Sequence, residues 1–432
     1  MRAHVVHPII LGGDAGAYSL ARAFHAEHGV RSTVVSIVST RNVRHSRIVD
    51  NVVEPGLDDP ATMVATVRRL AAASDAPAIV VTCVDWYVEM LAAHRTQIED
   101  VAVVPYTSSE LLARVMDKAR FSELCVELGV PHPRTVVRHG GGEVGELGLT
   151  FPIIAKPGDN VAWHRTSFTG KRKVHDLASP DELAWLLRAA GEAGYDGAFI
   201  VQEKVVGDDA QMRIMTTFSR EDGTVVMAHG GHVLLEEHTP GTLGNPAAIL
   251  TGPAEQIESD ARRLVEHLGW TGFANFDVKV DPRDGTGYFF ELNPRTGRSN
   301  FYLTASGINP ARLWVDEHLG DGARPARATR EVLYRIVPGL LLRRYARVAG
   351  DPAVRRALRT RRPVVHPLRY RGDRSWRRDL WVRLAELRQL RTFRRVYPLS
   401  AAAAAAVAPT ALDTPAAHDA PVPGGSRGDA RS

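Results

Sequence analysis

The period of apolar and polar positions changes several times along this chain, and the changes divide it. Residues 5–28, "VVHPIILGGDAGAYSLARAFHAEH", pass from an apolar strand through a Gly-Gly turn into an amphipathic helix with Leu20, Ala21, Ala23 and Phe24 facing inward. "RSTVVSIV" and "APAIVVTCV" repeat the strand pattern, with helical stretches around residues 60–73 and 86–95. Strands alternating with helices predict an open parallel sheet. The Gly12-Gly13 turn lacks the full G-x-G-x-x-G spacing, so it reads as a tight strand-to-helix turn rather than a nucleotide fingerprint.

After residue 107 the pattern is different. Ser108 or Ser109 caps a helix that gathers Leu111, Leu112, Val115, Ala119 and Leu124 on one side and carries Lys118. "FPIIAKPGD" is a strand ending in Lys156, "HRTSFTGKRKVHD" a polar loop around Gly170, and "AFIVQEKVVGDDAQMRIMTTF" two strands about a short connection. "GFANFDVKVDPRDGTGYFFELNPR" is a hairpin. Phe276, Val278 and Val280 share one face of its first strand; Tyr288, Phe290 and Leu292 are expected to match them on the second. Centring the turn near Asp284 sets Asp277 opposite Glu291, and a one-residue slip would turn the apolar set outward. Carboxylates facing each other across a ladder repel unless a cation lies between them. Asn293 adds a carbonyl oxygen, and Asp277, Glu291 and Asn293 together suit Mg2+ (or Mn2+) with room for phosphate and water. Arg295, just beyond the strand, is placed to reach charge beside the metal. A merely solvated polar face leaves unexplained why these acids alternate with large aromatics and precede arginines.

Composition adds further constraints. At 432 residues the chain is too long for one simple core, so two or three domains are expected. Two cysteines, Cys83 and Cys125, argue against a disulfide framework and suit a reducing cytoplasm. No signal-peptide pattern or bilayer-length apolar run is visible, which predicts a cytoplasmic protein, at most peripheral at the inner face of the membrane. Charge is uneven: residues 324–400 hold 22 Arg, no Lys and five acids, a net +17 in a chain of net +5. Leu340, Leu341, Leu342, Tyr345, Trp376, Leu380, Trp381, Leu384 and Leu387 give this segment amphipathic helices, with Arg374, Arg377 and Arg378 expected on its surface. Beyond Ser400, Ala, Pro and Gly dominate and a disordered tail is expected.

The order Lys118, Lys156, a loop with Gly170, "VQEKVVG", Asp277 and "ELNPR" resembles the ATP-grasp superfamily over approximately residues 108–315. With "LGGDAGAYSLARAF", "TGRSNFYLTASGINP" and "YRGDRSWRRDL" it is similar to the D-aspartate ligase-like branch of carboxylate–amine ligases. The resemblance implies a mixed α/β and α+β chain. Residues 1–107 would form a Rossmann-like pre-ATP-grasp domain, and 108–323 two α+β lobes hinged near 202–207. Residues 324–400 would be a basic helical extension and 401–432 the tail.

It also implies a reaction: ATP phosphorylates a carboxylate, an amine displaces phosphate from the acyl phosphate, and the protein contributes positioning and charge. In that scheme Lys156 reaches the α- and β-phosphates and Lys118 supports them, while Ser167, Thr169, Gly170 and Lys171 close over the phosphates. Glu203 and Val205 offer backbone to adenine, Gln202 reaches its exocyclic amine, and Asp209, with Asp208 as the alternative, takes the ribose hydroxyls. Asp277, Glu291 and Asn293 bind two Mg2+, Arg295 stabilises the transferring phosphoryl group, and Arg298 with Ser299 and Asn300 grips a substrate carboxylate. His238, Gly244 and Asn245 line the substrate side.

The implied substrates are an amino acid, D-aspartate by resemblance, and an amine on a UDP-linked peptidoglycan precursor. A ligase making a small free peptide or amide is the alternative. A third reading is a non-catalytic protein acting through the Arg-rich segment on anionic membrane or nucleic acid. The intact Lys156, Asp277, Glu291, Asn293 and Arg295 speak against it, and no nucleic-acid module is visible.

Overall fold

The structure is a computed structural model that describes residues 6–158, 160–172, 174–239, 241–350, 352–359 and 362–406. Its N-terminal sheet is wholly parallel. Strands β1 (His7–Leu11), β2 (Ser32–Ser36), β3 (Val49–Val53), β4 (Ala78–Thr82) and β5 (Ala102–Val103) lie in the order β3-β2-β1-β4-β5. Helices α1 (Ala15–His28), α2 (Pro60–Ala71) and α3 (Asp85–Ala93) connect them. Asp14 caps α1 by accepting a hydrogen bond from Ala17 N at 2.9 Å. Gly16 matters for packing: a Cβ there would stand 3.0 Å from Arg298 Cα, so only glycine lets the segment carrying Arg298 approach α1.

The single helix expected after residue 107 is two, α4 (Ser109–Met116) and α5 (Lys118–Leu128). Asp117 breaks the run with extended backbone and caps α5 by accepting from Ala119 N and Arg120 N. Lys118 therefore opens a helix rather than sitting within one. The first lobe is the four-stranded sheet β6-β9-β7-β8, built from β6 (Thr135–His139), β7 (Ile153–Pro157), β8 (His175–Leu177) and β9 (Ala198–Glu203). Its core includes α7 (Pro180–Glu192) and an edge-to-face cluster of Tyr195, Phe199 and Trp163, the last on α6 (Asn160–Arg165).

The second lobe is an antiparallel sheet of β10 (Met212–Ser219), β11 (Val225–Glu236), β12 (Pro246–Thr251), β13 (Gly272–Val280) and β14 (Gly287–Asn293). Helix α8 (Glu255–His267) packs across β10, β11 and β13, and α9 (Phe301–Ser306) and α10 (Pro310–Leu319) follow β14. In the β13–β14 hairpin Asp277 pairs with Glu291 as the sequence predicts, but a bulge follows, so that Val278 pairs with Phe289. The extra residue reverses the expected facing of the aromatics. Phe289, not Phe290, is 1% exposed and meets Phe276 edge-to-face at 5.5 Å. Phe290 turns toward a cavity.

The Arg-rich segment is not only helical. Its β15 (Leu333–Arg335) adds antiparallel to β12 and β16 (Val364–Val365) lies parallel beside it, extending the sheet to seven strands. Its helices are α11 (Gly339–Val348), α12 (Pro352–Arg359) and α13 (Trp376–Val396). Residues 401–406, expected in the tail, are instead helical: α14 (Leu399–Ala406) continues through the alanine run and buries Ala402. Alanine is the strongest helix former, so a short docked run stays ordered. Residues 407–432 lie outside the described residues.

Arg378, expected on the surface, is 2% exposed. It stacks on Tyr18 with its guanidinium 3.7 Å from the ring centre, and donates to Asn42 O. Beside it Asp373 accepts from Tyr18 Oη (2.8 Å), Ser46 Oγ (2.7 Å) and Arg47 N (2.6 Å). The extension is thereby pinned onto the N-terminal domain.

Candidate active site

The site begins where β13 and β14 lie side by side. Asp277 and Glu291 face each other in register, and Asn293 Nδ2 donates to Asp277 Oδ2 at 3.2 Å. Lys118 Nζ, at the start of α5, lies 3.9 Å from Glu291 Oε2. Past the strand, Arg295 donates to Asn293 Oδ1 (3.2 Å) and to Asp85 Oδ2 (2.7 Å). Lys118, Asp85, Phe290, Glu291 and Asn293 border a cavity of about 190 Å3. Larger concavities, of about 370 and 330 Å3, run along the C-terminal segment instead.

The charges are unequally compensated. Burial and the facing Glu291 push the Asp277 carboxyl up to about 7, against the pull of Arg295. Glu236, at the end of β11, is pushed well above the usual carboxylate range by burial and by Asp209 and Asp277. Lys279 is lowered by burial and donates to Gly207 O at 2.7 Å. Asp85 Oδ1 and Arg295 Nε are buried without a hydrogen-bond partner among the described residues. Asp85 Oδ1 is thus an acceptor open to a donor, and Arg295 Nε a donor open to an acceptor.

Arg298, expected to grip a substrate carboxylate, is flanked by acids of the chain itself. It donates to Glu237 Oε2 at 2.6 Å and its Nε lies 3.3 Å from Asp14 Oδ2, so two acids already flank it. Asp209 accepts from Glu236 N (3.0 Å) and from His238 Nε2 (2.8 Å), and His238 stacks on Tyr397 with ring centres 3.5 Å apart. Its rival Asp208 is committed to capping, accepting from Ala210 N at 2.9 Å. Asn245 donates to Thr242 O, and Gly244 N to Glu237 O, closing the turn after β11.

The first lobe contributes from its own sheet. Lys156 is half-buried on β7 opposite Ile200. Gln202 donates to Thr135 Oγ1 at 2.9 Å, the Glu203 carboxylate accepts from Thr150 N at 2.9 Å, and Val205 is buried. Ser167, Thr169 and Gly170 are exposed in the turn after α6. Lys171 is turned back, donating to Thr166 O at 2.6 Å with its ammonium 5.2 Å from the Trp163 ring centre. Sequence reasoning missed four residues: Asp14, Asp85, Glu236 and Glu237. Asp14 stood directly after the Gly-Gly turn, a signal that was available; Asp85, Glu236 and Glu237 carried none.

Two α+β lobes joined after β9, preceded by a parallel-sheet domain, define an ATP-grasp ligase. The fold resembles that of the L-amino acid ligase from Bacillus licheniformis (TM-score 0.54, 16% identity, covering 76% of this chain and 79% of that one). It likewise resembles purK, N5-carboxyaminoimidazole ribonucleotide synthetase, in its ADP complex (TM-score 0.53, 17% identity, covering 77% and 82%). No family model matches the chain. In sequence it is 34% identical over 321 residues to D-aspartate ligase of Enterococcus faecium (strain Aus0004), covering 72% of this chain and 76% of that protein. The chain belongs to the D-aspartate ligase family. Among the described residues no helix is long and apolar enough to cross a membrane.

Proposed function

We propose that this chain is an ATP- and Mg2+-dependent ligase that activates the carboxylate of an amino acid, D-aspartate by its kinship, and joins it to an amine. The observation that carries this reading is Asp277 facing Glu291 beside Asn293, Arg295 and Lys118. The elevated Asp277 carboxyl fits a site that is completed by a cation. Among the described residues no three His, Cys, Asp or Glu side chains gather as a metal cage. Two carboxylates and an amide fit Mg2+, which takes much of its shell from phosphate and water. Bound by Asp277, Glu291 and Asn293, the metal would supply Lewis acidity and a template for phosphate oxygens.

The chain's own residues then divide the work. Lys156 and Lys118 neutralise the phosphates of ATP. Ser167, Thr169 and Gly170, exposed in their turn, offer hydroxyls and backbone amides over them, with Lys171 on its release from Trp163. Gln202, Glu203 and Val205 hold the base, and Asp209, oriented by His238, the ribose. Arg295, fixed by Asp85, directs its planar fork at the phosphoryl group as it passes to the substrate carboxylate. Arg298 between Asp14 and Glu237 suits a zwitterion: the guanidinium takes a carboxylate and the acids an ammonium. The acceptor amine then displaces phosphate. By the same kinship we assign that amine to a peptidoglycan precursor such as a UDP-linked muropeptide.

Incubating the chain with ATP, Mg2+, hydroxylamine and single amino acids tests this. D-Aspartate should yield a hydroxamate and ADP without the natural acceptor. AMP and pyrophosphate as products would sink the acyl-phosphate route. Hydroxamate from other amino acids only would move the substrate assignment and leave the chemistry standing.

A further inference from the structure

We propose that the outward face of α13 is a docking surface for an anionic phospholipid bilayer. The helix has 21 residues and is held to the body by buried Arg378, Val382 and Phe393, with Trp381 packed against the core. Its opposite face carries large apolar side chains that no described residue covers. Trp376 is 72% exposed, Leu380 50%, Leu384 45% and Leu387 57%. At 100° per residue these four fall within roughly 80° of one another, a single stripe. Arg377, Arg383, Arg388, Arg391 and Arg394 are exposed within and along it. The two acids of the helix lie off the stripe: Asp379 is half-buried, and Glu386 is consumed by Arg335 (2.7 Å) and Arg369.

That combination selects the occupant. A tryptophan and three leucines edged by arginines, without an exposed acid, match an interface with hydrocarbon below and anionic headgroups above. A second copy of the chain laid on this stripe by two-fold symmetry would bring arginines against arginines. A nucleic-acid backbone would satisfy the guanidinium groups but leave four apolar side chains against phosphate and sugar. The helix would lie in the membrane plane, and the bulk of the chain would stay in water.

The test uses the full chain and sedimentation with phosphatidylcholine vesicles, with and without phosphatidylglycerol. Binding should require phosphatidylglycerol and weaken with salt. Arg377→Gln with Arg383→Gln and Arg388→Gln should weaken it roughly a hundred-fold, at about fivefold per arginine. Leu380→Ser with Leu384→Ser and Leu387→Ser should weaken it at least roughly tenfold at unchanged charge. Both triple variants should keep the wild-type melting temperature. Brominated lipid gives a readout independent of those variants: it should quench the tryptophan fluorescence of the wild type and much less that of Trp376→Phe. The proposal is overturned by no binding to phosphatidylglycerol vesicles, by equal binding to neutral ones, or by triple variants that bind like wild type. It is equally overturned if the leucine variant turns a dimer into a monomer by light scattering, or if the arginine variant loses RNA affinity alone.

Discussion

Replacing Asp277 by Asn removes one charge and almost no volume, so its effect isolates the electrostatics of the site. The Asp277 carboxyl moves from an ordinary 3.8 to about 7 because burial and Glu291 disfavour its charge. At 1.36 kcal/mol per unit that is roughly 4 kcal/mol, and the side chain's partial exposure reduces it to about 2 kcal/mol. The sign follows from proton binding. Between pH 3.8 and about 7 the folded chain keeps a proton that the unfolded chain releases, so this group's contribution to stability falls as pH rises through that window. Buried His229 and His366, pushed down to about 4 and about 3 chiefly by burial, act in the opposite direction below pH 6.5, so wild type must be compared with the variant rather than read alone. Thermal melting of metal-free protein should show the two nearly superimposed near pH 4, with roughly a third of the gap open by pH 5. Near pH 8 the Asn variant should be more stable by about 2 kcal/mol, roughly 4–8 °C for a domain the size of residues 108–323. Added Mg2+ should close the gap by stabilising the wild type, and the variant should form no ADP. Parallel melting curves from pH 5 to pH 8 without metal would refute the reasoning, because the two carboxylates would then not feel each other.

Arg295→Lys keeps the charge but loses the planar guanidinium whose Nη2 serves Asp85 and Asn293 and whose other nitrogens remain for the phosphoryl group, so ADP release should fall roughly 100-fold with little change in KM for ATP; equal turnover would remove Arg295 from the phosphoryl site. Asp373→Ala strands Arg378 as a buried unpaired charge and strips the acceptor from Tyr18, Ser46 and Arg47, so chemical denaturation should show a loss of about 3–5 kcal/mol. A loss within about 0.5 kcal/mol, the usual range for a surface change, would mean that the extension is not anchored there.

What could be read from the sequence was what strict periodicity and turn chemistry impose. The Asp277–Glu291 register was legible because side chains alternate with period two and the turn "DPRDGTG" fixes the pairing. The bulge one step later was not, since an inserted residue looks like any other until the partner strand is present. Asp117 as a helix break hid within an otherwise continuous helical pattern, because an Asp there is equally a solvent-facing residue. The contacts of Arg298 with Asp14 and Glu237 join positions far apart in sequence, and no local pattern encodes them. Strands of three and two residues, β15 and β16, are too short to express a period.

The net +17 of residues 324–400 is best understood as two populations of arginine with different physics. Arg335, Arg369 and Arg378 are matched by Glu386 and Asp373 and face the body of the protein. Their role is structural: Asp373 and Arg378 hold the N-terminal domain, and Tyr397, at the end of α13, lies flat on the His238 that orients Asp209. The same helix thus reaches from Tyr18 to the rim of the site, while Arg298 draws Asp14 of the first domain against Glu237 of the second lobe. Removing the segment would therefore disturb the site through its supports as well as remove charge. Among the described residues, the exposed arginines on the outward face of α13 have no acidic partner, and they can be changed without that consequence. They are the positions at which charge can be altered to ask what the surface does, while the catalytic machinery is left as it stands.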